Sequence, residues 1–337
     1  MNYKRKFPRY ITKGAAIVLS IKDKVCLVTG GGGSIGSAIV RALLRLGAKK
    51  VIALDISENN LFDLLNDEKN VTCEIASITD VEKMDKLFSV YRPEIVFHAA
   101  AHKHVPFMEM YPEEAVKNNI LGTQNVMNAA EKHGTERFIF ISTDKAVKPV
   151  NIMGASKRVC EMMVYEKSRK SKTVFAVVRF GNVIGSKGSV VPLFKKQIEK
   201  GVVTVTDKDA ERYFMTIPQA AELAIKSSGV MQGGEIFVFN MGKSVKILNI
   251  AEKMIRESGK EVIIEFTGLR KGDKLSEELF NENEHPMPCE IENVYRAYGG
   301  TVRGLDRDIK KLCRQAKQCD REGIRDLLLK ITGKDMV

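Results

Sequence analysis

The chain has 337 residues, of which 44% are hydrophobic and 28% charged, values that are ordinary for a soluble globular protein. This length suits one large α/β unit, or a domain with a smaller lobe. The formal net charge of +12 favours anionic partners without choosing among nucleotides, nucleic acids and acidic membranes. The apolar run at 14–21 is far shorter than the roughly 20 residues that cross a bilayer, which excludes a membrane span there.

Residues 1–21 are predicted to form a basic N-terminal extension. Its basic side chains, with no acidic residue among the first 13 positions, are Lys4, Arg5, Lys6, Arg9 and Lys13. The six cysteines are scattered and have no histidine at metal-ligand spacing. We therefore expect free thiols, a cytoplasmic location and no bound metal.

Apolar runs typical of buried strands alternate with helical patterns along the first half of the chain. The runs predict strands at 24–29, 51–55, 71–75, 94–100, 137–142 and 174–180. The patterns between them predict helices at 37–47, 81–91, 113–134 and 155–169. Such alternation predicts the α/β class, with a doubly wound parallel Rossmann sheet.

The run TGGGGSIG at 29–36 lies between the first strand and the first helix. Gly30, Gly33 and Gly36 fit a GxxGxxG spacing, which lets the backbone approach a pyrophosphate. The helix N-terminus, at Ser34 and Ile35, contributes N–H donors and the positive end of a dipole. The run therefore predicts a dinucleotide site.

The second strand ends in Asp55, 19 residues after Gly36. A carboxylate at this place binds both ribose hydroxyls and repels a 2′-phosphate, which favours NAD over NADP as cofactor. The predicted domains are an NAD-binding domain at 22–180, joined by elements near 215–240, and a smaller, mixed and mainly substrate-binding lobe at 181–300. A C-terminal helical tail at 301–337 follows.

Ligands of such folds bind outside the carboxyl ends of the strands. After the fourth strand, Ala99 and Ala100 would let a cofactor lie against the backbone, and Lys103 is a candidate contact to substrate or cofactor. The histidines at 102 and 104 are interpreted as surface or supporting residues.

The fifth strand leads into Asp144 and Lys145, an acid and an amine that can act as separate proton carriers. A polar turn with a surface ion pair is the alternative interpretation.

Seven motifs together resemble the nucleotide-sugar 4,6-dehydratases of polysaccharide biosynthesis, in the extended short-chain dehydrogenase/reductase superfamily. They are TGGGGSIG, HAAAHKHVP, NNILGT, STDKAVKPVNIMGASKR, RFGNVIGSKGSVVPLF, ERYFMT and GLRKGDKLSEEL. The resemblance runs from about residue 22 to 295. It is closest to the branch related to membrane-anchored UDP-N-acetylglucosamine 4,6-dehydratases, in which methionine replaces the superfamily tyrosine. The chain lacks the transmembrane and preceding domains of the large members, so a soluble stand-alone catalytic unit is expected.

The resemblance implies oxidation of the sugar at C4 with NAD as hydride acceptor, loss of water across C5 and C6, and return of hydride to C6. Asp144 is then the general acid at C6 and Lys145 the base at C5. The residues that assist them are Thr143 at the sugar, Lys157 and Ser142 at the cofactor, and Asn118 or Asn119 as support. Met153 stands four residues before Lys157, where the superfamily has tyrosine, and a thioether carries no proton; core packing is its other interpretation. The acceptor of the C4 hydroxyl proton stays open among Asp144, Lys145 and water.

For the substrate, the loop after the sixth strand suits a diphosphate through Asn182 and Ser189. Arg212 and Arg270 resemble the family's basic contacts to UDP phosphates, because a guanidinium binds phosphate oxygens in a bidentate way. Glu277 and Glu278 are expected on a short helix with a structural role.

The main hypothesis is a UDP-N-acetylglucosamine 4,6-dehydratase, expected to form a homo-oligomer and to bind a UDP-sugar. A UDP-sugar 4-epimerase shares fold and cofactor but retains the tyrosine and needs no acid–base pair at C5 and C6. A C5-inverting dehydratase usually retains the tyrosine as well. A non-catalytic NAD-binding sensor has no use for a matched proton donor and base. Nucleic acid is not expected as a partner, because no aromatic platform or recognition motif is present.

Overall fold

A computed structural model describes residues 21–333 of the chain. The predicted basic extension, up to residue 20, lies outside the described residues, as do the last four residues of the predicted helical tail. All six cysteines are free thiols.

A nine-stranded sheet forms the centre of the molecule, in the order β14-β15-β11-β6-β5-β4-β1-β2-β3. Neighbouring strands are parallel from β3 across to β11, while β15 and β14 are antiparallel additions at the edge. The strands of this sheet are β1 (Val25–Thr29), β2 (Lys50–Asp55), β3 (Val71–Ile75), β4 (Ile95–His98), β5 (Arg137–Thr143), β6 (Val174–Phe180), β11 (Glu235–Phe239), β14 (Met287–Pro288) and β15 (Val294–Tyr298). The predicted doubly wound parallel sheet is confirmed, including the strand that returns near residue 235.

Helices cover both faces of this sheet. In chain order the helices of the protein are α1 (Ser34–Arg45), α2 (Glu58–Asp67), α3 (Val81–Tyr91), α4 (Val105–Met110), α5 (Pro112–Glu114), the π-helical turn Ala115–Leu121, α6 (Gly122–Lys132), a 3₁₀ turn (Asp144–Ala146), α7 (Ile152–Ser168), α8 (Val190–Ile198), α9 (Ile217–Val230), α10 (Ile247–Ser258), α11 (Leu305–Lys317) and α12 (Arg321–Thr332). In β1, Cys26 and Val28 pack into one core and Leu27 into the other. This double burial explains why the strands are apolar runs without alternation.

A smaller lobe follows β6 and has a core of its own, formed by Phe194, Ile198, Val203, Val205 and Ala251. Its paired strands are β7 (Asn182–Ile184) with β10 (Phe214–Thr216), β8 (Val202–Val205) with β13 (Ile263–Phe266), and β9 (Glu211–Arg212) with β12 (Val245–Lys246). The predicted lobe boundary at residue 300 differs from the structure, in which β14 and β15 belong to the main sheet. Hydrogen bonding of β15 to β11 is a long-range pairing that local composition does not signal.

The two C-terminal helices are packed against the main domain rather than extended from it. Apolar residues of α11 and α12, including Leu312 and Leu328, share one buried core with α7. Arg321 donates to Glu113 at 2.8 Å, and Arg325 donates to Glu109 at 2.7 Å. The predicted helical tail therefore supports the helices that follow β4.

A π-helical turn interrupts the helical stretch between Pro112 and Lys132, where the sequence predicts a continuous helix. Asn119 lies in this turn and is buried. Its side-chain nitrogen donates to the carbonyl of His102 and to Oγ of Ser156, both at 3.0 Å. Its side-chain oxygen accepts from the backbone N–H of His102 at 2.8 Å. The turn thus fastens the loop after β4 to α7.

A buried ion cluster joins β6, α7 and the loop before β14. We call this group, formed by Arg158, Glu161, Arg179 and Glu284, the Arg179 cluster. Arg179 is completely buried, and its guanidinium donates to Glu161 and to Glu284, each with a shortest distance of 2.7 Å. Arg158 donates to the same two carboxylates at 2.9 and 2.7 Å. Each buried charge is paired, as burial of charged groups requires.

Replacing Glu284 with Ala is expected to lower the free energy of unfolding by about 3–5 kcal/mol, because two buried guanidinium groups lose a partner. Burial alone would raise the pKa of Glu284, but Arg179 and Arg158 hold that pKa well below its usual range. A folded-state pKa below the unfolded one stabilises the protein above about pH 4.3, and this contribution is lost as the pH falls through the folded-state pKa. Urea unfolding at pH 7 and at acid pH should therefore show the deficit of Glu284→Ala shrinking with acid.

The matched control for this experiment is Glu282→Ala. The Glu282 side chain is 82% exposed and pairs with Lys148 at the surface. Its removal should change the free energy of unfolding by less than about 0.5 kcal/mol. Equal losses in the two variants would contradict the role given to the Arg179 cluster.

Candidate active site

The glycine-rich turn between β1 and α1 lies against the loop that follows β4. Gly30 has φ +67°, and a Cβ there would lie 2.8 Å from the backbone nitrogen of Ala100. A Cβ on Gly36 would lie 2.0 Å from the carbonyl oxygen of Gly30. Only glycine fits these two positions. The small residues Ala99 and Ala100 therefore lie beside the turn.

The N-terminus of α1 is open to a ligand. Gly33 is its N-cap residue and offers no side-chain cap, so the N–H groups of the first turn, which includes Ser34 and Ile35, receive no side-chain acceptor from the cap. Uncapped N–H groups and the helix dipole together attract a phosphate. The turn fits the pyrophosphate of a dinucleotide.

Asp55 lies at the carboxyl end of β2, beside the turn. Its Oδ2 accepts from the backbone N–H of Gly32 at 3.0 Å, and its Oδ1 accepts from the N–H of Ser57 at 2.9 Å. These bonds fix the carboxylate at the mouth of the cleft. A carboxylate held there fits the ribose hydroxyls of a dinucleotide and disfavours a 2′-phosphate.

A strap at residues 185–188 crosses the mouth of this cleft. The backbone N–H of Lys187 donates to Oγ of Ser34 at 3.0 Å, and its ammonium donates to the side chain of Asn60 at 2.6 Å. Lys103 donates to the carbonyl of Lys187 at 2.7 Å. In this structure Lys103, a candidate ligand contact in the sequence, holds the strap.

The carboxyl end of β5 carries the acid and the amine. Asp144 is completely buried, and its Oδ1 accepts from Oγ1 of Thr143 at 2.9 Å and from Nζ of Lys145 at 3.0 Å. Its Oδ2 has no hydrogen-bond partner among the described residues. Lys145 also donates to Oδ1 of Asn182 at 3.0 Å. Asn182, predicted to bind a diphosphate, therefore lies at the acid–amine pair instead. The pair is a buried arrangement rather than the surface ion pair that was the alternative.

Glu277, in the loop between β13 and β14, also lies next to the acid–amine pair. Its Oε1 lies 3.6 Å from Nζ of Lys145, and its Oε2 is buried without a hydrogen-bond partner among residues 21–333. Residues 277 and 278 lie in an irregular loop, so the predicted short helix is wrong. Glu277 is buried next to Lys145, whereas Glu278 is exposed and pairs with Lys148. Two adjacent glutamates look alike in the sequence, which carries no signal that only one faces the site.

Lys157 and Met153 lie on the first turns of α7. The ammonium of Lys157 donates to the carbonyl of Ile141 at 2.8 Å and lies over the ring of Phe140. Burial lowers the pKa of Lys157 to about 8, so its charge is held weakly near neutral pH. Met153 is 3% exposed and belongs to the core cluster between the sheet and α7. A thioether at this position packs and can neither donate nor accept a catalytic proton.

Ser142 differs from the expectation for a cofactor contact. Its hydroxyl is buried and donates to Oε1 of Glu161 at 2.6 Å. The hydroxyl is thus engaged by the Arg179 cluster inside the protein. That contact joins the end of β5, immediately before the acid–amine pair, to the buried ions.

The basic residues of the lobe have different surroundings. The guanidinium of Arg212 donates to the carbonyls of Lys274 at 2.8 Å and Leu275 at 3.0 Å, so it holds the loop that carries Glu277. This geometry differs from a free phosphate contact. Arg270 is exposed, as such a contact needs. Ser189 precedes α8, and its Oγ lacks a hydrogen-bond partner within the described part of the chain.

The described part of the chain offers neither a metal site nor a membrane-spanning helix. Among residues 21–333 no group of three or more histidine, cysteine, aspartate or glutamate side chains could hold a metal ion. Within the same residues no helix combines the length and apolar character needed to pass through a bilayer.

A family model for polysaccharide biosynthesis proteins matches residues 26–299, which is most of the chain. The chain belongs to this family. It is 51% identical over 275 residues to the probable polysaccharide biosynthesis protein EpsC of Bacillus subtilis, covering 78% of this chain and 46% of EpsC. Its identity to the capsular polysaccharide biosynthesis protein CapD of Staphylococcus aureus is 48%, covering 84% of this chain and 49% of CapD. The chain thus spans about half the length of these curated relatives.

Three further similarities, one in sequence and two in structure, concern named enzymes and the fold. The chain is 34% identical over 292 residues to an inverting UDP-N-acetylglucosamine 4,6-dehydratase of Campylobacter jejuni, covering 85% of each chain. The crystal structure of Pen from Bacillus thuringiensis superposes with a TM-score of 0.77 at 35% identity, covering 82% of this chain and 89% of Pen. A UDP-glucose 4-epimerase of Thermotoga maritima superposes with a TM-score of 0.69 at 27% identity, covering 76% and 89%. The fold of an extended short-chain dehydrogenase/reductase, inferred from the motifs, is confirmed.

Replacing Asp55 with Ala is expected to weaken NAD binding about tenfold or more and to improve binding of NADP relative to NAD. The loss follows from hydrogen bonds to a charged carboxylate, which contribute about 1.5–3 kcal/mol, and the gain from removal of its repulsion toward a 2′-phosphate. Calorimetric titration of cofactor-free protein with each dinucleotide measures both. Asp63→Ala, on the exposed face of α2, is the control and should leave both affinities unchanged. Tighter binding of NADP than NAD by the unaltered protein would contradict the assignment.

Proposed function

We propose that this protein catalyses the NAD-dependent 4,6-dehydration of UDP-N-acetylglucosamine, or of a closely related UDP-hexosamine, to a UDP-4-keto-6-deoxy sugar. The observation that carries the proposal is the pair formed by the buried carboxyl of Asp144 and the amine of Lys145 at the carboxyl end of β5, beside a position that holds Met153. Dehydration needs a proton donor and a base at adjacent carbons. An epimerase that moves only the C4 hydrogen does not need that pair.

The two carboxyl oxygens of Asp144 have different surroundings and, in this proposal, different roles. Oδ1 is occupied by Thr143 and Lys145, so Oδ2, which has no partner among the described residues, is the oxygen that would carry the proton for the departing C6 hydroxyl. A Cβ on Gly181 would lie 3.2 Å from this Oδ2. Gly181 therefore packs close to this oxygen, and a side chain there would crowd both Asp144 and Tyr213.

Lys145 is the base for the C5 proton in this proposal. Burial alone would lower the pKa of Lys145, but the charges of Asp144 and Glu277 outweigh it and raise the pKa above its ordinary value. Asp144, whose charge stabilises the ammonium, must first gain the proton that it gives to the C6 hydroxyl, and the C4 hydroxyl is one source of it. Lys145 is likewise charged in the resting protein and must release a proton before it can accept one. We expect the rate of dehydration to rise toward alkaline pH for this reason.

The dinucleotide site is assigned to NAD. Gly30, Gly33 and Gly36 would admit its pyrophosphate, and Asp55 would bind its adenosine ribose. Lys157 would bind the nicotinamide ribose, for which its ammonium must turn from the carbonyl of Ile141. When bound, NAD supplies the reversible hydride acceptor that oxidation at C4 requires. The C4 hydroxyl proton has Asp144, Lys145 or a water molecule as acceptor, since Met153 carries no proton.

The UDP moiety is assigned to the lobe. Arg270 and Ser189 are the proposed diphosphate contacts, because the first is exposed and the second has a hydroxyl without a partner among residues 21–333. Arg212 supports the same region by holding the carbonyls of the loop at 274–275.

Incubation with UDP-N-acetylglucosamine in deuterated water, followed by NMR of the product, tests the proposal. A 6-deoxy-4-keto sugar that carries deuterium at C5 is the expected product, and nuclear Overhauser contacts of its C6 methyl group with the ring protons distinguish retention from inversion. This outcome matters because the similar Campylobacter jejuni enzyme is named as inverting. A 4-epimer with its C6 hydroxyl intact would identify an epimerase instead. A protein that binds NAD without any turnover would identify a sensor.

Replacing Asp144 with Asn, or Lys145 with Met, is expected to lower kcat about 10²–10⁴-fold, since each variant loses a general acid or base. In Asp144→Asn, elimination of water at C6 should fail. In Lys145→Met, incorporation of deuterium at C5 should fail. Met153→Ala is the comparison and should cost less, because the thioether only packs. The assignment is wrong should Met153→Ala abolish activity while the other two variants remain nearly fully active.

Replacing Arg270 with Ala is expected to raise KM about tenfold with little change in kcat, and to reduce the dependence of KM on salt. The reason is loss of a charge-assisted contact to the diphosphate that is the same in ground and transition states. Steady-state kinetics at two ionic strengths measure both effects. Arg314→Ala, on the exposed face of α11, is the control. A fall in kcat at unchanged KM would place Arg270 at the reacting centre.

A further inference from the structure

Glu277 is a buried carboxylate with no assigned role, and it faces the amine of the acid–amine pair. Its side chain is 4% exposed, and Oε1 lies 3.6 Å from Nζ of Lys145. Two other cations are near the same carboxylate: Nζ of Lys274 at 3.8 Å and Nε of Arg212 at 4.0 Å. Its Oε2 has no hydrogen bond within the described residues. A buried carboxylate costs free energy unless charges compensate it, and Lys145 is the nearest of these charges.

The loop that carries Glu277 is fastened on both sides of this residue. Before it, Arg212 binds the carbonyls of Lys274 and Leu275, and the ammonium of Lys274 donates to the carbonyl of Val147 at 2.8 Å. After it, Arg179 donates to the carbonyl of Leu279 at 2.9 Å. The carboxylate is therefore placed at Lys145 by the fold and does not reach it through a flexible surface loop.

Lys145 presents three N–H donors, and three acceptor groups surround it. An ammonium has three donors and no acceptor. Asp144 and Asn182 accept at 3.0 Å each, and Glu277 provides the third group at ion-pair distance. Of the charged groups that face Lys145, Asp144 and Glu277 are anionic and raise its pKa, while the cation Arg212 lowers it. Glu277 is the anion whose removal leaves the proposed acid Asp144 intact.

We propose that Glu277 is a positioning residue for Lys145, which holds the amine against Asp144 and Asn182 and balances its charge before the amine meets substrate. The inference deepens the proposed function, because it concerns the base of that reaction. Asp144 alone holds a charged Lys145 close to the proton donor. Glu277 supplies a second anionic contact from the loop between β13 and β14. The amine is therefore held by two carboxylates, those of Asp144 and Glu277.

The proposal is tested first without substrate, by the reactivity of Lys145. Competitive acetylation of the full-length protein over a range of pH, read by peptide mass spectrometry, gives the pH at which the Lys145 amine becomes reactive. Its side chain is 20% exposed, which lets a small reagent reach it. In Glu277→Gln the midpoint should shift to lower pH, because a neutral amide no longer favours the ammonium form. An unchanged midpoint overturns the proposal.

Three variants control this measurement. Glu278→Gln removes the neighbouring carboxylate, which pairs with Lys148 at the surface, and should keep the wild-type midpoint. Glu277→Asp retains the charge on a shorter side chain and should bring the midpoint back toward that of the wild type. Should Glu277→Gln fail to fold, Glu277→Ala removes the same charge without burying an amide, and it must show the same shift. An equal shift in Glu278→Gln overturns the proposal, because any nearby surface charge would then suffice.

The second measurement uses activity and separates the two proposals. In the dehydration assay the pH profile of kcat/KM for Glu277→Gln should move to lower pH by the same interval as the acetylation midpoint, while its plateau falls. A wild-type protein that makes no 4-keto-6-deoxy sugar, with the acetylation shift present, overturns the proposed function and leaves Glu277 as the partner of Lys145. If the wild type is active but its acetylation midpoint at Lys145 is the same as that of Glu277→Gln, only the positioning role is overturned.

Discussion

Arg179 lies where the sheet, helix α7 and the lobe meet, and the active site depends on its pairing with two buried carboxylates. Glu161 comes from α7 and Glu284 from the loop before β14, while Arg179 itself is on β6. A buried guanidinium requires compensation, so these elements cannot separate without exposing an unpaired charge inside the protein. Ser142, which precedes Thr143 and the acid–amine pair, donates to the same Glu161. The ions therefore set the distance between β5 and the loop that brings Glu277.

The two halves of the site are built on different principles. The dinucleotide half is made by absence of side chains, because Gly30 and Gly36 let backbone approach backbone and Gly33 leaves α1 without a side-chain cap. The half around Lys145 is made by dense pairing of charged groups, in which its amine is surrounded by three oxygen-bearing side chains. The first half suits a large ligand bound through its own phosphates. The second suits proton transfer, which requires groups held at fixed distances.

Features formed by neighbours in sequence could be predicted, and features formed across the chain could not. The apolar strands, the glycine turn with Asp55 and the adjacent Asp144 and Lys145 each leave a local pattern. Glu277 is 132 positions from Lys145, and nothing in its surroundings distinguishes it from the exposed Glu278.

The same limit explains the changed roles of three other residues. The sequence predicts that Arg212, Asn182 and Ser142 bind ligands, yet their hydrogen bonds in the structure go to a loop, to Lys145 and to Glu161. A motif identifies which residues belong near a site. It does not say which of them bind a ligand and which hold the others in place.

The π-helical turn Ala115–Leu121 makes the exact number of residues in this segment matter. A turn closed by i→i+5 bonds holds one residue more than the α-helical path between the same ends. Deleting one residue there would leave an α-helix between the same ends and would remove the wider turn in which Asn119 lies. Asn119 would then no longer face both His102 and Ser156. In an alignment of related chains, a gap within this segment therefore marks a protein that must hold the loop after β4 by other contacts.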